Sequence, residues 1–308
     1  MKALLFPGQG SQFVGMGSEL YREFSLVKNL FKEADHKLHY SISKLILEGP
    51  ENELKLTKNT QPAILTISHS IFKVITEEFK IKIKNIKYFA GHSLGEYSAL
   101  VSSGSLKFSD ALYLVHERGK AMQESVPEGQ GAMLAVLGVA PNKVEEYIKK
   151  IDKKNGECEI ANDNSDSQII LSGNRKAIEE MHKLMKENKK KSMFLPVIAP
   201  FHSSLMKTAA QNMKDKIQNT SFQNPSIDLV TNVTAQSTKN PEEIKKLLVD
   251  QIYSKVRWRE SILYMIENGV NEFIEIGPGK VLTGLVKRIS GKVNVKSINT
   301  ISDIETLK

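Results

Sequence analysis

The sequence predicts an α/β fold with a smaller second unit set into it, and three observations carry that prediction. A strand at residues 2–6, a turn containing Pro7, Gly8 and Gly10, and a helix-like stretch with Met16, Leu20 and Phe24 open the chain. The same order recurs where a strand at 86–90 runs into Gly91-His92-Ser93-Leu94-Gly95 and then a helix beginning at Leu94. From Gly131 to Pro196 the rhythm changes to strand, helix, strand, strand, helix, strand. That βαββαβ order is the split βαβ of a ferredoxin-like unit.

The elements follow from local pattern. Residues 2–6 are apolar after Lys2 and stop at Pro7-Gly8, a strand and its turn. Ile64, Ile67, Ile71 and Ile75 recur at helical spacing and predict a helix over 62–78. Residues 86–90 are rich in β-formers, and 109–121 reads as a helix. In the changed stretch, strands are expected at 132–137, 158–162, 168–172 and 192–197, with helices at 142–151 and 175–188. Beyond it come a strand at 227–231, helices at 241–252 and 261–268, and a strand at 272–276. This divides the chain into a large domain, 1–127 with 198–308, and a small one, 128–197. No repeat of solenoid period and no low-complexity tail interrupts it.

Composition narrows the function classes. The 308 residues are 40% hydrophobic and 25% charged, an ordinary globular balance. The single cysteine, Cys158, rules out an intrachain disulfide and reads as an inert, partly buried thiol in a reducing compartment. Only Ala3 to Phe6 separate Lys2 from Pro7, so no secretory leader pattern opens the sequence, and no apolar run approaches membrane-spanning length. A cytoplasmic monomer is expected. The net charge of +8 favours an acidic partner, although scattered lysines on solvated helix faces account for it equally well. Lys189-Lys190-Lys191 is the one tight run and reads as a helix end, where cations suit the dipole.

The most informative motif is Gly91-His92-Ser93-Leu94-Gly95, a G-x-S-x-G turn between strand and helix. A serine there is held with its hydroxyl exposed, facing backbone N–H groups at the start of the helix. One segment then supplies a nucleophile and donors for an oxyanion. A nucleophilic serine needs a base. Of the seven histidines, His36, His39, His69, His116 and His182 lie on helical patterns without a partner motif. His92 reads as structural, its side chain directed away along the strand. His202 stands apart in Ala199-Pro200-Phe201-His202-Ser203, at the junction of the two predicted domains. Neither the Gly8–Gly10 turn nor Gly277-Pro278-Gly279-Lys280 has the spacing of a dinucleotide or phosphate loop, and no H-E-x-x-H or C-x-x-C pattern suggests a metal.

Four motifs in order resemble the malonyl-CoA:acyl-carrier-protein transacylase family, the acyltransferases of fatty acid and polyketide synthesis. They are Phe6-Pro7-Gly8-Gln9-Gly10-Ser11-Gln12, Gly91-His92-Ser93-Leu94-Gly95-Glu96, Pro200-Phe201-His202-Ser203 and Glu275-Ile276-Gly277-Pro278-Gly279. The resemblance implies a hydrolase-like α/β core with a ferredoxin-like insert. It implies transfer of malonyl from malonyl-CoA to the pantetheine thiol of acyl carrier protein, feeding fatty acid synthesis. No cofactor or metal is implied, since coenzyme A and phosphopantetheine enter as carriers of substrate. By resemblance, Ser93 is the acylated nucleophile and His202 its general base and acid. The backbone carbonyl of Gln251 orients the histidine, and the N–H groups of Gln9 and Leu94 form the oxyanion hole. Arg118 grips the malonyl carboxylate, while Gln61, Asn162 and Asn164 lie near the pocket.

The chemistry supports these roles. A guanidinium fork binds a carboxylate through two parallel hydrogen bonds, each charged bond being worth roughly 1.5–3 kcal/mol. By itself, Arg118 would be one arginine near a helix end on a solvated face. Phe201 beside the histidine, with Leu94 after the serine, resembles the malonyl type of the family. A large ring there leaves little room at the malonyl α-carbon, a discrimination of about 1–3 kcal/mol per methyl.

Two other classes compete at this stage. A serine hydrolase shares the turn but places a carboxylate between serine and a late histidine, and no acid here has a recognisable motif. A nucleic-acid-binding protein has only the charge in its favour, without interleaved aromatic and basic residues. The acidic partner expected on the transacylase reading is acyl carrier protein, docking on a basic rim beside Ser93 at Lys287 and Arg288.

Overall fold

The computed structural model describes residues 1–197 and 199–308. Its strands are β1 Lys2–Phe6, β2 Ile86–Gly91, β3 Gly131–Leu137, β4 Cys158–Ser165, β5 Gln168–Asn174, β6 Lys191–Phe194, β7 Asp228–Val230, β8 Ser237–Thr238, β9 Glu272–Ile276 and β10 Asn294–Ile298. Six form one sheet in the order β10-β9-β1-β2-β7-β8, parallel except for the short β8 at its edge.

The central strands are apolar on both faces because helices cover both. Leu4, Phe6, Phe89 and Ile274 face one buried cluster, against the helix Thr57–Lys73 and its neighbours. Ala3, Leu5, Tyr88 and Phe273 face the other, with Trp258 and Ile262 of the helix Trp258–Glu267. Adjacent residues point to opposite layers, as a pleated strand requires.

The remaining four strands make an antiparallel sheet, β4-β5-β3-β6. The helices Pro141–Ile148 and Arg175–Glu187 supply Val144, Ile178 and Met181 to the cluster that holds Leu134, Val136, Ile169 and Leu171. On the opposite face, Met133, Ala135 and Ile170 join the main core. Outside the sheets, β4 is bound to the segment just before the helix Trp258–Glu267. Asp163 N–H donates to the Val256 carbonyl at 3.0 Å and Val256 N–H to the Ala161 carbonyl at 2.8 Å. Asp163 is gripped by Arg259 through two bonds of 2.9 and 2.8 Å.

Several expected boundaries move for physical reasons. The strand expected at 158–162 runs on to Ser165 through register shifts at Ile160/Asn162 and Asp163/Ser165. The helix expected at 62–78 begins at Thr57, so Pro62 lies within it, followed by a π-helical turn, Val74–Glu78. Pro62 has no N–H for the Lys58 carbonyl, and His116 Nδ1 supplies the missing donor at 3.0 Å. The last strand of the small sheet stops at Phe194, before Pro196. Lys189 and Lys190 do lie just past a helix end, and Lys191 opens β6. The proposed junction at 198 falls outside the described residues. Cys158 is buried, and burial pushes its thiol up to about 12, which keeps it protonated.

Candidate active site

The turn after β2 is built by close approach. A Cβ at Gly91 would collide with the backbone of Gly95 and Glu96, and one at Gly95 with the Phe6 carbonyl of β1. The chain therefore packs glycine on glycine and forces Ser93 into the left-handed region at φ 53°. Asn232, in the loop after β7, secures this conformation. Its Oδ1 accepts from Ser93 N–H at 2.7 Å and its Nδ2 donates to the Gly91 carbonyl at 2.7 Å. The helix Gly95–Ser102 follows at once.

Ser93 Oγ lies 2.8 Å from His202 Nε2. His202, also in the left-handed region at φ 55°, lies 2.8 Å through Nδ1 from the Gln251 carbonyl. A carbonyl can only accept, so Nδ1 carries the proton and Nε2 is free to take one. His202 is 5% exposed. Burial first, then the Arg118 charge, pushes its pKa down to about 3, so the ring is neutral at pH 7.

Arg118 departs furthest from its reading as sequence alone. It lies well inside the helix Phe108–Glu124 and is 1% exposed. Nη2 donates to Ser93 Oγ at 3.0 Å and to Gln251 Oε1 at 2.7 Å, and Nη1 donates to Gln61 Oε1 at 2.8 Å. Every one of these acceptors is neutral. Among the described residues Nε has no partner. The guanidinium thus keeps its charge beside the serine.

These side chains surround a cavity of about 110 Å³ whose walls include Gln9, Gln61, Ser93, Leu94, Arg118, Asn162, Phe201 and His202. Gln251 stands behind it, fully buried, reaching the site through its carbonyl and amide. Among the described residues the N–H groups of Gln9 and Leu94 donate to no protein acceptor. Both residues line the cavity beside Ser93, so these free donors are candidates to receive an oxyanion.

His92 corrects an expectation: it does not point away but lines the same cavity. Its Nε2 bonds Asn164 Oδ1 at 2.9 Å, and its ring packs on Trp258 with centroids 5.4 Å apart. The apolar wall of Met122, Met133, Leu195 and Val197 was not anticipated. Nor were Asn232 and Glu96. Glu96 is 2% exposed, accepts from Asn232 N–H at 3.0 Å and from Gln251 Nε2, and has its pKa pushed up to about 8 by burial.

An acyl transferase domain model matches residues 3–304. The chain belongs to the acyl transferase domain family. Within it, the chain is 45% identical over 307 residues to the malonyl CoA-acyl carrier protein transacylase of Bacillus subtilis (strain 168), covering 99% of this chain and 95% of that one. The acyl-carrier-protein-S-malonyltransferase of Bartonella henselae superposes with a TM-score of 0.96 at 41% identity, over 99% of this chain and 97% of that one. A structure described as a type II PKS acyl-carrier protein in complex with its malonyl-transacylase gives a TM-score of 0.95 at 38% identity, with coverage of 99% and 98%. The parallel-sheet α/β core is thus that of this acyltransferase family. Among the described residues, no helix is long and apolar enough to cross a membrane.

Proposed function

We propose that this protein transfers malonyl from malonyl-CoA to the phosphopantetheine thiol of acyl carrier protein through a malonyl-Ser93 ester. The observation that carries the reading is a buried Arg118 guanidinium, hydrogen-bonded to neutral oxygens alone, 3.0 Å from a serine that is itself 2.8 Å from a neutral histidine. An acyl group with a free carboxylate fits that combination, and the relatives' names agree.

In the first half-reaction Ser93 Oγ bonds to the thioester carbon as its proton passes to His202 Nε2. The carbonyl oxygen takes up negative charge against the N–H groups of Gln9 and Leu94. Collapse breaks the C–S bond, and His202 returns the proton to the departing coenzyme A sulfur. In the second half the pantetheine thiol gives its proton to His202 and attacks the ester carbon. The C–Oγ bond breaks and Ser93 regains its proton. Bound malonyl also offsets the Arg118 charge, one of the causes that depress His202. His202 can then hold a proton more readily while substrate is present.

Phe201, Gln61 and Asn162 shape the acyl pocket in this reading. The protein acts as a cytoplasmic monomer in fatty acid synthesis, needs no cofactor, and excludes nucleic acid as a partner. Residues 128–197 form a ferredoxin-like small domain, a division supported by the separate antiparallel sheet and its βαββαβ order. Lys287 and Arg288, in the last turn of the helix Val281–Ile289, are the proposed contacts to the acidic carrier. Mass spectrometry of protein mixed with malonyl-CoA tests the core of the proposal. A malonyl adduct on the Ser93 peptide, absent in S93A, is expected. An adduct on another residue in S93A would refute the nucleophile.

A further inference from the structure

Gln251 holds more of this site together than its carbonyl alone. Its side-chain Oε1 accepts from Arg118 Nη2 at 2.7 Å, while Nε2 donates to the Ser93 carbonyl at 3.0 Å and to Glu96. The amide can lie either way round, and only one way presents an oxygen to the guanidinium. Its own bonds with Arg118 and Ser93 favour the observed orientation. The group behind it, Glu96, fixes it. One Glu96 oxygen accepts from Gln251 Nε2 and the other from the backbone N–H of Asn232, the residue that clamps the Ser93 turn.

We propose that Glu96 is a positioning residue for acyl-group selection: by accepting from Gln251 Nε2 it locks the amide with Oε1 toward Arg118, which aims the guanidinium at the acyl pocket. This rests on the reading of Arg118 as the carboxylate anchor. Glu96 is not part of the cavity wall, and its hydrogen bonds reach the site through Gln251 and Asn232.

The donor–acceptor logic makes the inference testable by a near-isosteric change. In E96Q the side chain keeps one oxygen, which Asn232 N–H requires, and turns an NH₂ toward Gln251. Gln251 must then flip its amide to offer Oε1 to the new donor. The flip places Nε2 against Arg118 Nη2, donor against donor, and leaves the Ser93 carbonyl without its partner. The guanidinium is displaced, and the substrate that needs it suffers selectively.

The measurement is kcat/KM for Ser93 acylation by malonyl-CoA and by acetyl-CoA. E96Q is expected to lower the malonyl-to-acetyl ratio about tenfold or more, mainly through a raised KM for malonyl-CoA. Q251M removes the amide but keeps the carbonyl that orients His202, and should lower the ratio similarly. E96Q/Q251M should lose no more than Q251M alone, because Glu96 then has no amide to orient. An unchanged ratio in E96Q, or additive losses in the double variant, would overturn the inference. Should E96Q fail to fold, Q251M decides: an unchanged ratio there removes the link to Arg118. R118A separates the two levels of argument. If R118A leaves the ratio intact, the anchor reading fails; if R118A collapses it and E96Q does not, only the role of Glu96 fails.

Discussion

Replacing His202 by asparagine should flatten part of the acid dependence of stability. The folded protein holds His202 neutral down to about pH 3, because the ring is buried and faces Arg118. An unfolded chain protonates the same ring near pH 6.5. Below 6.5 the unfolded state therefore binds more protons, and stability falls with pH until the folded ring also protonates near 3. Integrating from pH 7 to pH 5 gives a loss of about 2 kcal/mol from this residue, a value set almost wholly by the unfolded pKa. His69, stacked on Phe108 and also depressed to about 3, adds a similar slope but is shared by wild type and variant. Asparagine tolerates the left-handed backbone at this position and does not titrate. Urea unfolding of wild type and H202N at pH 7 and pH 5 is the assay. The wild type should lose about 2 kcal/mol more than H202N on acidification. Equal losses would mean that His202 is not held neutral, and the physical basis for its role as base would fall. The same depression implies that substrate-free His202 does not ionise between pH 5 and 8, so a rise of activity with pH through its deprotonation would lie in the acid range.

Further outcomes follow from the same geometry. H202A should slow acylation of Ser93 by about 10²–10⁴-fold in stopped-flow thioester assays, the range for a lost general base. R118K should recover little of the malonyl selectivity lost in R118A, since an ammonium cannot span the positions of Nη1 and Nη2; near-wild-type selectivity in R118K would show that charge alone suffices. K287E and R288E should slow transfer to carrier protein more than transfer to free pantetheine, and added salt should shrink the difference; equal losses on both acceptors would place docking elsewhere. The acid limb of kcat should lie at higher pH with malonyl-CoA than with acetyl-CoA, because only malonyl offsets Arg118; coincident limbs would exclude that electrostatic coupling.

The nucleophile turn was legible because its constraints are local. Gly91 and Gly95 are required by backbone contact, and a β-rich run precedes them. The strand Glu272–Ile276 was legible to the residue, bounded as it is by a turn signal. The run Asp163-Asn164-Ser165 was not, since three polar residues in succession carry no strand pattern beyond Asn162. They form a buried strand end only because Arg259 and His92 pair with Asp163 and Asn164 from elsewhere in the chain. The helices between Ser18 and Leu54 and the helix Lys207–Gln218 were not resolved from the sequence as separate elements. The place of Arg118 in the site was expected only by resemblance, because its burial depends on three partners distant in sequence. Glu96 stood inside the quoted motif, yet nothing local marks it as the partner of Gln251.

A carboxylate in place of the Gln251 carbonyl would complete a serine-hydrolase triad, and the Arg118 position explains why a neutral group serves better here. A fixed negative charge there would attract the guanidinium, by roughly 4 kcal/mol for a pair at contact distance in an effective dielectric constant near 20. The arginine would then meet its substrate already paired, and an incoming carboxylate would gain little. Gln61, Gln251 and Ser93 instead satisfy Arg118 with neutral oxygens. The cost falls on His202, which lacks an anionic partner and is depressed further by the arginine. Malonyl brings the missing charge with it. On the proposed reading its carboxylate meets the guanidinium and relieves part of the depression on the histidine in the same binding event. Acyl groups without a carboxylate would lose both effects, so on this reading selection acts on proton transfer as well as on binding.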